Sequence, residues 1–209
     1  SSNFSLEKKK TSMRTNQIWK FVYKKGLKET SKFSNISSEL KDNMEKSFNF
    51  NRTNIAEKKI SKDGTIKWLL KLSDNNLVET VFIPSGKRGT LCVSSQVGCT
   101  LNCKFCHTGT QLMVKNLTTH EIINQILVAK DELNDWGSQK KITNIVYMGM
   151  GEPFYNYDNV KKSISILRER NGLDYSPKKI TVSTAGISNE IMKAADEIGT
   201  YLALSLHAP

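Results

Sequence analysis

The chain has 209 residues, 38% of them hydrophobic and 24% charged, enough for one full domain and a small accessory one. It has no apolar run long enough to span a bilayer and no secretory signal, so a cytoplasmic protein with reduced thiols and no membrane association is expected. The net charge of +11 is unevenly spread: Lys and Arg outnumber Asp and Glu 21 to 9 over residues 1–115, against 10 to 11 over residues 116–209. A basic first half suits a polyanionic partner such as RNA, because each neutralised phosphate releases counterions. A solvated, lysine-rich surface accounts for the same charge equally well.

Residues 1–12 are polar and are expected to be disordered or a partial start. Beyond them, Ile18, Phe21 and Val22 share a helical face flanked by Trp19 and Tyr23, with Gly26 as a C-terminal stop. A second helix follows Ser37 and carries Leu40, Met44 and Phe48 at four-residue spacing. Residues 13–50 thus read as a small helical accessory domain that binds RNA, its Trp and Tyr serving core packing rather than base stacking. Residues 51–90 read as a β-rich connecting segment. Asp63-Gly64 is a turn signal, Ile66–Leu69 and Leu77–Ile83 are β-rich runs, and Pro84-Ser85-Gly86 breaks the chain before Leu91–Val93 resumes it.

From Leu91 onward strands and helices alternate. Thr118 and Glu121 form a capping box ahead of Ile122, Ile123, Ile126 and Leu127. Ile142–Met148, Lys179–Ser183 and Tyr201–Leu206 are strands. Between them lie one helix capped by Asp158, with Val160, Ile164 and Leu167, and another after Ser188, with Ile191, Ala195 and Ile198, stopped by Gly199. Residues 91–209 therefore form an α/β unit with a parallel sheet or barrel of about four strands. The chain begins without Met, and Pro209 follows directly on a strand, so a fragment cut at both ends is expected.

The run GCTLNCKFCHTG places Cys99, Cys103 and Cys106 in a C-x3-C-x2-C pattern. Three thiolates this close hold three irons of a cubane [4Fe-4S] cluster, whose usual complement is four cysteines, and leave one iron open to chelate a small molecule. The competing reading is a zinc site in a nucleic-acid-binding module without catalysis. Zinc needs four closed ligands, usually as two cysteine pairs, and the only local fourth donor is His107, adjacent to Cys106. Downstream, Met148-Gly149-Met150-Gly151-Glu152-Pro153 ends a strand, at the edge where parallel α/β folds collect their active sites. Its glycines permit close backbone approach to a ligand and Glu152 suits an ammonium. Ser183, Ser205 and His207 end the next two strands on the same rim.

The cysteine spacing resembles the radical S-adenosylmethionine (SAM) superfamily. TLCVSSQVGC, CKFCHTGTQ, YMGMGEP, VSTAG and LSLHAP, with RTNQIWKFVYKKG and VETVFIP, further resemble the bacterial radical-SAM rRNA/tRNA adenine carbon-2 methyltransferases over residues 13–209. The resemblance implies a partial (β/α)6 barrel, here reduced to about four strands. It implies a [4Fe-4S] cluster on Cys99, Cys103 and Cys106, and SAM held by Gly151, Glu152, Ser183, Ser205, Leu206 and His207. Glu79 falls at the family's proton-accepting glutamate and Cys92 at its resolving cysteine. The implied partners are 23S rRNA, tRNA and an electron donor such as flavodoxin or ferredoxin, for a monomeric enzyme. The family's methyl-carrying cysteine is not among Cys92, Cys99, Cys103 and Cys106, so this chain by itself is expected not to complete methyl transfer. A related family acts on carbon-8 of the same type of adenine and resembles the chain in the same way.

Overall fold

The computed structural model describes residues 2–99 and 112–205. Helix α1 spans Ser2–Trp19 and widens into a π-helical turn over Lys20–Lys24. This corrects the expected disorder of residues 1–12: no Gly or Pro interrupts the segment, and Leu6, Glu7, Lys8, Lys9, Lys10 and Met13 are good helix formers. Helix α2 spans Ser38–Ser47, and the Ser37 side chain accepts a hydrogen bond from the Leu40 amide. Phe21, Val22, Phe33, Ile36 and Met44 form a small core of their own, with Phe21 stacked on Phe33 at 4.9 Å between ring centroids. Phe48, expected on the buried face of α2, instead caps the helix in an extended conformation and is 64% exposed. Trp19 rests against Tyr23, with ring centroids 4.5 Å apart.

The strands are β1 (Asn54–Ile60), β2 (Ile66–Lys71), β3 (Leu77–Ser85), β4 (Arg88–Cys92), β5 (Gln96–Val97), β6 (Lys115–Asn116), β7 (Asn144–Tyr147), β8 (Ile180–Thr184) and β9 (Tyr201–Leu204). The later helices are α3 (Thr119–Glu132), α4 (Tyr157–Arg168) and α5 (Ser188–Glu197). Seven strands form one sheet in the order β1-β2-β3-β4-β7-β8-β9, and β5 with β6 forms a separate ribbon. β1 to β4 are an antiparallel meander, whereas β4, β7, β8 and β9 run parallel. Residues 51–90 are therefore the antiparallel half of the barrel sheet rather than a connecting segment. β4 lies between β3 and β7, and at Gly89 the backbone comes so close to the Lys141 carbonyl that a Cβ would fall 2.0 Å from it.

Alternation of side chains sorts the sheet into two faces. Val78, Phe82, Leu91, Ile145, Tyr147, Ile180 and Val182 are buried in one core with Ile122, Ile126, Val160, Ile164 and Leu167 of α3 and α4. The capping box at Thr118 and Glu121 is present, with both reciprocal hydrogen bonds. Helix α4 starts one residue before the expected cap, with Asn156 as its N-cap and Asp158 in its first turn.

The helical unit docks on α3 through Asp131. This carboxylate accepts hydrogen bonds from Arg52 Nε at 3.0 Å and Trp136 Nε1 at 2.8 Å, and pairs with Lys28 at 3.0 Å. Gly26, at φ 68°, lies so close to the Trp136 ring that a Cβ there would fall 2.3 Å from it. Among the described residues, no helix is long and apolar enough to cross a membrane.

Candidate active site

The C-terminal ends of β4, β7, β8 and β9 form one rim, and among the described residues the Met148–Pro153 loop, Ser183 and Ser205 lie at it. β3 is antiparallel to β4, so its N-terminal end, carrying Glu79, lies beside the C-terminal end of β4. Val81 pairs with Cys92, which pairs with Val146, which pairs with Thr181. Glu79 and Cys92 therefore share the face turned away from the helices, as diagonal neighbours on adjacent strands. Ser183 belongs to the same face, and its Oγ lies 3.1 Å from Ser205 Oγ just beyond β9. Leu206, His207, Cys103 and Cys106 lie outside the described residues.

Cys99 is half-buried and follows β5 by two residues. The β5–β6 ribbon pairs Gln96 with Asn116 and Val97 with Lys115, so the segment holding the three cysteines is closed at its base. Two further backbone hydrogen bonds extend the closure, Val114 to the Val97 carbonyl at 2.8 Å and Leu117 to the Ser95 carbonyl at 3.0 Å. Gly98, at φ 74°, turns the chain into the loop, and a Cβ there would lie 2.1 Å from the Leu112 carbonyl oxygen. Lys115 is anchored by Glu121 at 2.7 Å and by Asp74 of the β2–β3 turn. That contact, led by the hydrogen bond from Lys115, holds the Asp74 carboxyl down at about 2.

The glycines of the Met148–Pro153 loop make room first for protein. A Cβ on Gly149 would fall 2.6 Å from Ser94 Oγ, and one on Gly151, at φ 94°, would fall 2.4 Å from Gln96 Cβ. On the side where a Cβ would project, that space belongs to Ser94 and Gln96. Glu152 is 3% exposed, and its carboxylate accepts from the Phe154 amide at 3.1 Å and from the Ala185 amide at 2.9 Å. It ties the ends of β7 and β8 together, so an ammonium ligand would have only its remaining lone pairs.

Glu79 is half-exposed, with Lys67 Nζ 2.9 Å from Oε1. Its own carbonyl accepts from Ser94 Oγ at 2.6 Å. Cys92 is largely buried, and desolvation pushes its thiol up to about 11 against a smaller opposing effect from a hydrogen bond with the Met148 backbone. The Cys92 sulfur is therefore held as the neutral thiol at neutral pH.

Sequence reasoning missed a buried polar network behind this rim. Gln125 on α3 brackets Ser94 as a strand would, accepting from its amide at 2.8 Å and donating to its carbonyl at 2.9 Å. Thr80 donates to the same Gln125 oxygen at 2.9 Å. Asn156 donates to the Ser95 and Leu117 carbonyls, each at 2.7 Å. The available signal was the polar pair Asn124-Gln125 in the middle of the apolar run of α3, where both are buried.

Residues 93–209 match the family model of the radical SAM superfamily. Dual-specificity RNA methyltransferase RlmN from Chelativorans sp. (strain BNC1) is 45% identical to the chain, covering 99% of it and 55% of that relative. The protein of the same name from Rhizorhabdus wittichii is 46% identical, covering 97% of the chain and 51% of that relative. The crystal structure of a radical SAM methyltransferase from Sphaerobacter thermophilus superposes with a TM-score of 0.86 at 34% identity, over 94% of this chain and 58% of that one. The chain spans about half the length of the curated relatives it matches. The α/β partial barrel expected from the motifs agrees with this likeness.

Proposed function

The chain belongs to the radical SAM superfamily, and on that premise we propose that it carries the cluster- and SAM-binding portion of an RNA methyltransferase acting on carbon-2 of an adenine in 23S rRNA and tRNA. The observation that supports the reading is that the ribbon at the base of the cysteine loop is bonded to the Gly151-Glu152 turn, with Ser183 and Ser205 at the neighbouring strand ends and Glu79 and Cys92 on the same face of the sheet. The donor set fits a cluster: three thiols on one short loop closed at its base, with no fourth ligand in the motif. Cys99, Cys103 and Cys106 would hold the [4Fe-4S] cluster, and Gly151, Glu152, Ser183, Ser205, Leu206 and His207 would line the SAM site. Together the bound cofactors supply a carbon radical able to activate a carbon that is a poor nucleophile.

The chain's own residues do the rest. Ser183 and Ser205 present a hydroxyl pair at the strand ends, suited to a ribose or a carboxylate. Glu79 is the base that receives the adenine carbon-2 proton. Lys67 occupies Oε1 and leaves Oε2 to accept it. Cys92, held as the thiol by burial, would resolve the protein–RNA adduct by attacking the sulfur of the methyl-carrying cysteine, so that a disulfide forms as the product leaves; that second cysteine is not among the four in this sequence. The lysine-rich helical unit supplies phosphate contacts, and flavodoxin or ferredoxin supplies the electron.

The test combines two assays on anaerobically reconstituted protein. With SAM and dithionite it forms 5′-deoxyadenosine, and its affinity for an rRNA stem-loop falls steeply with salt. Reversing Lys20, Lys24 and Lys25 to Glu flattens that slope. Lys28 is left out because it also pairs with Asp131. Protein that retains one zinc and no iron, and cleaves no SAM, contradicts the reading in favour of a nucleic-acid-binding module.

A further inference from the structure

Gln96 bridges the base of the cysteine loop to the Met148–Pro153 loop, 56 residues further along the chain. Its side chain is fully buried. Nε2 donates to Asn116 Oδ1 at 2.7 Å, inside the ribbon that closes the cysteine loop. Oε1 accepts from the Glu152 amide at 2.8 Å, inside the Met148–Pro153 loop. From there Glu152 Oε2 accepts from the Ala185 amide at 2.9 Å, at the end of β8. Asn116 continues the chain the other way, donating through Nδ2 to the Tyr155 carbonyl at 3.1 Å. Backbone contacts flank the bridge, since the amides of Ser95 and Gln96 both donate to the Met150 carbonyl, at 2.9 and 3.1 Å. Gly151 has no side chain where Gln96 Cβ lies, so the bridge and the glycine require each other.

A primary amide is suited to this place because it offers a donor at one end and an acceptor at the other. A carboxylate supplies only acceptors and a thioether supplies neither in strength. The amide is fully buried, where each unmade hydrogen bond leaves a polar group unsatisfied. We infer that Gln96 is a positioning residue that fixes the cysteine loop against the Gly151-Glu152 turn, and through Glu152 against the end of β8, so that the segments carrying cluster and SAM ligands keep one geometry. The inference rests on the proposed cofactor site for its consequence, whereas the bridge itself stands on the contacts.

The experiment compares Gln96→Met, near-isosteric and unable to bridge, with Gln96→Glu, which keeps the acceptor and loses the donor. Met44→Ala, in the separate helical core, is the control for general loss of stability. Hydrogen exchange is read first, without cofactors. Gln96→Met speeds exchange at the Glu152 and Ala185 amides by about tenfold or more, the size expected for one lost buried hydrogen bond. Gln96→Glu leaves the Glu152 amide protected and loosens residues 114–117 instead. Met44→Ala changes neither segment. On reconstituted protein, Gln96→Met retains its iron but weakens SAM binding by about tenfold, read from the SAM-induced change in the reduced cluster's electron paramagnetic resonance spectrum. Unchanged exchange at Glu152 and Ala185 in Gln96→Met, or the same pattern in both Gln96 variants, overturns the bridge. If Gln96→Met does not fold, the Gln96→Glu pattern decides alone. Failure of the wild-type protein to load a cluster would defeat the proposed function and leave the exchange result to judge Gln96 separately.

Discussion

The helical unit of residues 2–50 and the rim at the strand ends are assembled differently. The first has a core of five buried hydrophobic side chains and meets the rest of the chain through an ion pair from Lys28 to Asp131, the close approach of Gly26 to Trp136 and the packing of Tyr23 on the main core. The second is fastened from within, by Ser94, Ser95, Gln96, Gln125, Glu152 and Asn156, each at most 3% exposed and each hydrogen-bonded. An exposed lysine surface serves any phosphate backbone and tolerates substitution. A buried polar lattice specifies one arrangement, because every member needs a particular partner. The comparison therefore predicts graded effects of mutation in the helical unit and abrupt ones at the rim.

The largest effect is expected at the cysteines. Replacing Cys99, Cys103 or Cys106 by Ala abolishes the visible absorption of the cluster after anaerobic reconstitution. Full loading of Cys103→Ala would remove the basis of the assignment. Next comes Gly151→Ala, which places a Cβ 2.4 Å from Gln96 at a φ of 94°. It should cost about 2–3 kcal/mol in urea unfolding, because the backbone strain and the clash add. A loss below the error of the measurement would show that the loops are free to part. Asp131→Ala ranks third. It leaves Arg52, Lys28 and Trp136 without their common partner and should cost about 2 kcal/mol. The accompanying signature is faster proteolysis between Gly26 and Arg52, with exchange at residues 94–97 and 150–154 unchanged. If the rim loosens as well, the two regions are one mechanical unit and the contrast fails.

The smallest effect concerns Asp74, whose carboxyl Lys115 holds down from its ordinary 3.8 to about 2. A carboxyl depressed in the folded state contributes stability above its unfolded value. That contribution is lost as pH falls through the folded one. The tie between the β2–β3 turn and the base of the cysteine loop should therefore persist down to about pH 3.8 and vanish as pH approaches 2. A carbon-13 titration of the Asp74 carboxyl checks this, with Lys115→Met returning the midpoint to its ordinary value. An unshifted midpoint in the wild-type protein would show that Lys115 does not engage Asp74 in solution.

Much of this architecture was legible because burial imposes a period. The alternation in β3, β7 and β8 and the apolar stripe of α4 follow from one buried face each, whereas α3 is buried all round from Ile122 to Lys130. β1 offered no such sign, since every residue from Asn54 to Ile60 is exposed and only its pairing with β2 makes it a strand. The extension of α1 back to Ser2 was missed because its polar composition mimics disorder while its propensities favour helix. At the site, cysteine spacing and glycines were conspicuous because few residue types serve those purposes. Gln96 and Asn156 stayed hidden because an amide declares no role until its partners are placed. The same limit applies to Gly149 and Gly151, whose neighbours Ser94 and Gln96 no spacing in the sequence indicates.

The central claim is that the cysteine loop and the β7–β9 rim form one radical SAM site. It is tested most directly by electron paramagnetic resonance of the anaerobically reconstituted, dithionite-reduced protein, with and without SAM. The account predicts about four irons and four sulfides per chain and a reduced-cluster spectrum that shifts when SAM is added. A cluster whose spectrum ignores SAM, or a protein that takes up a single zinc in its place, would contradict it.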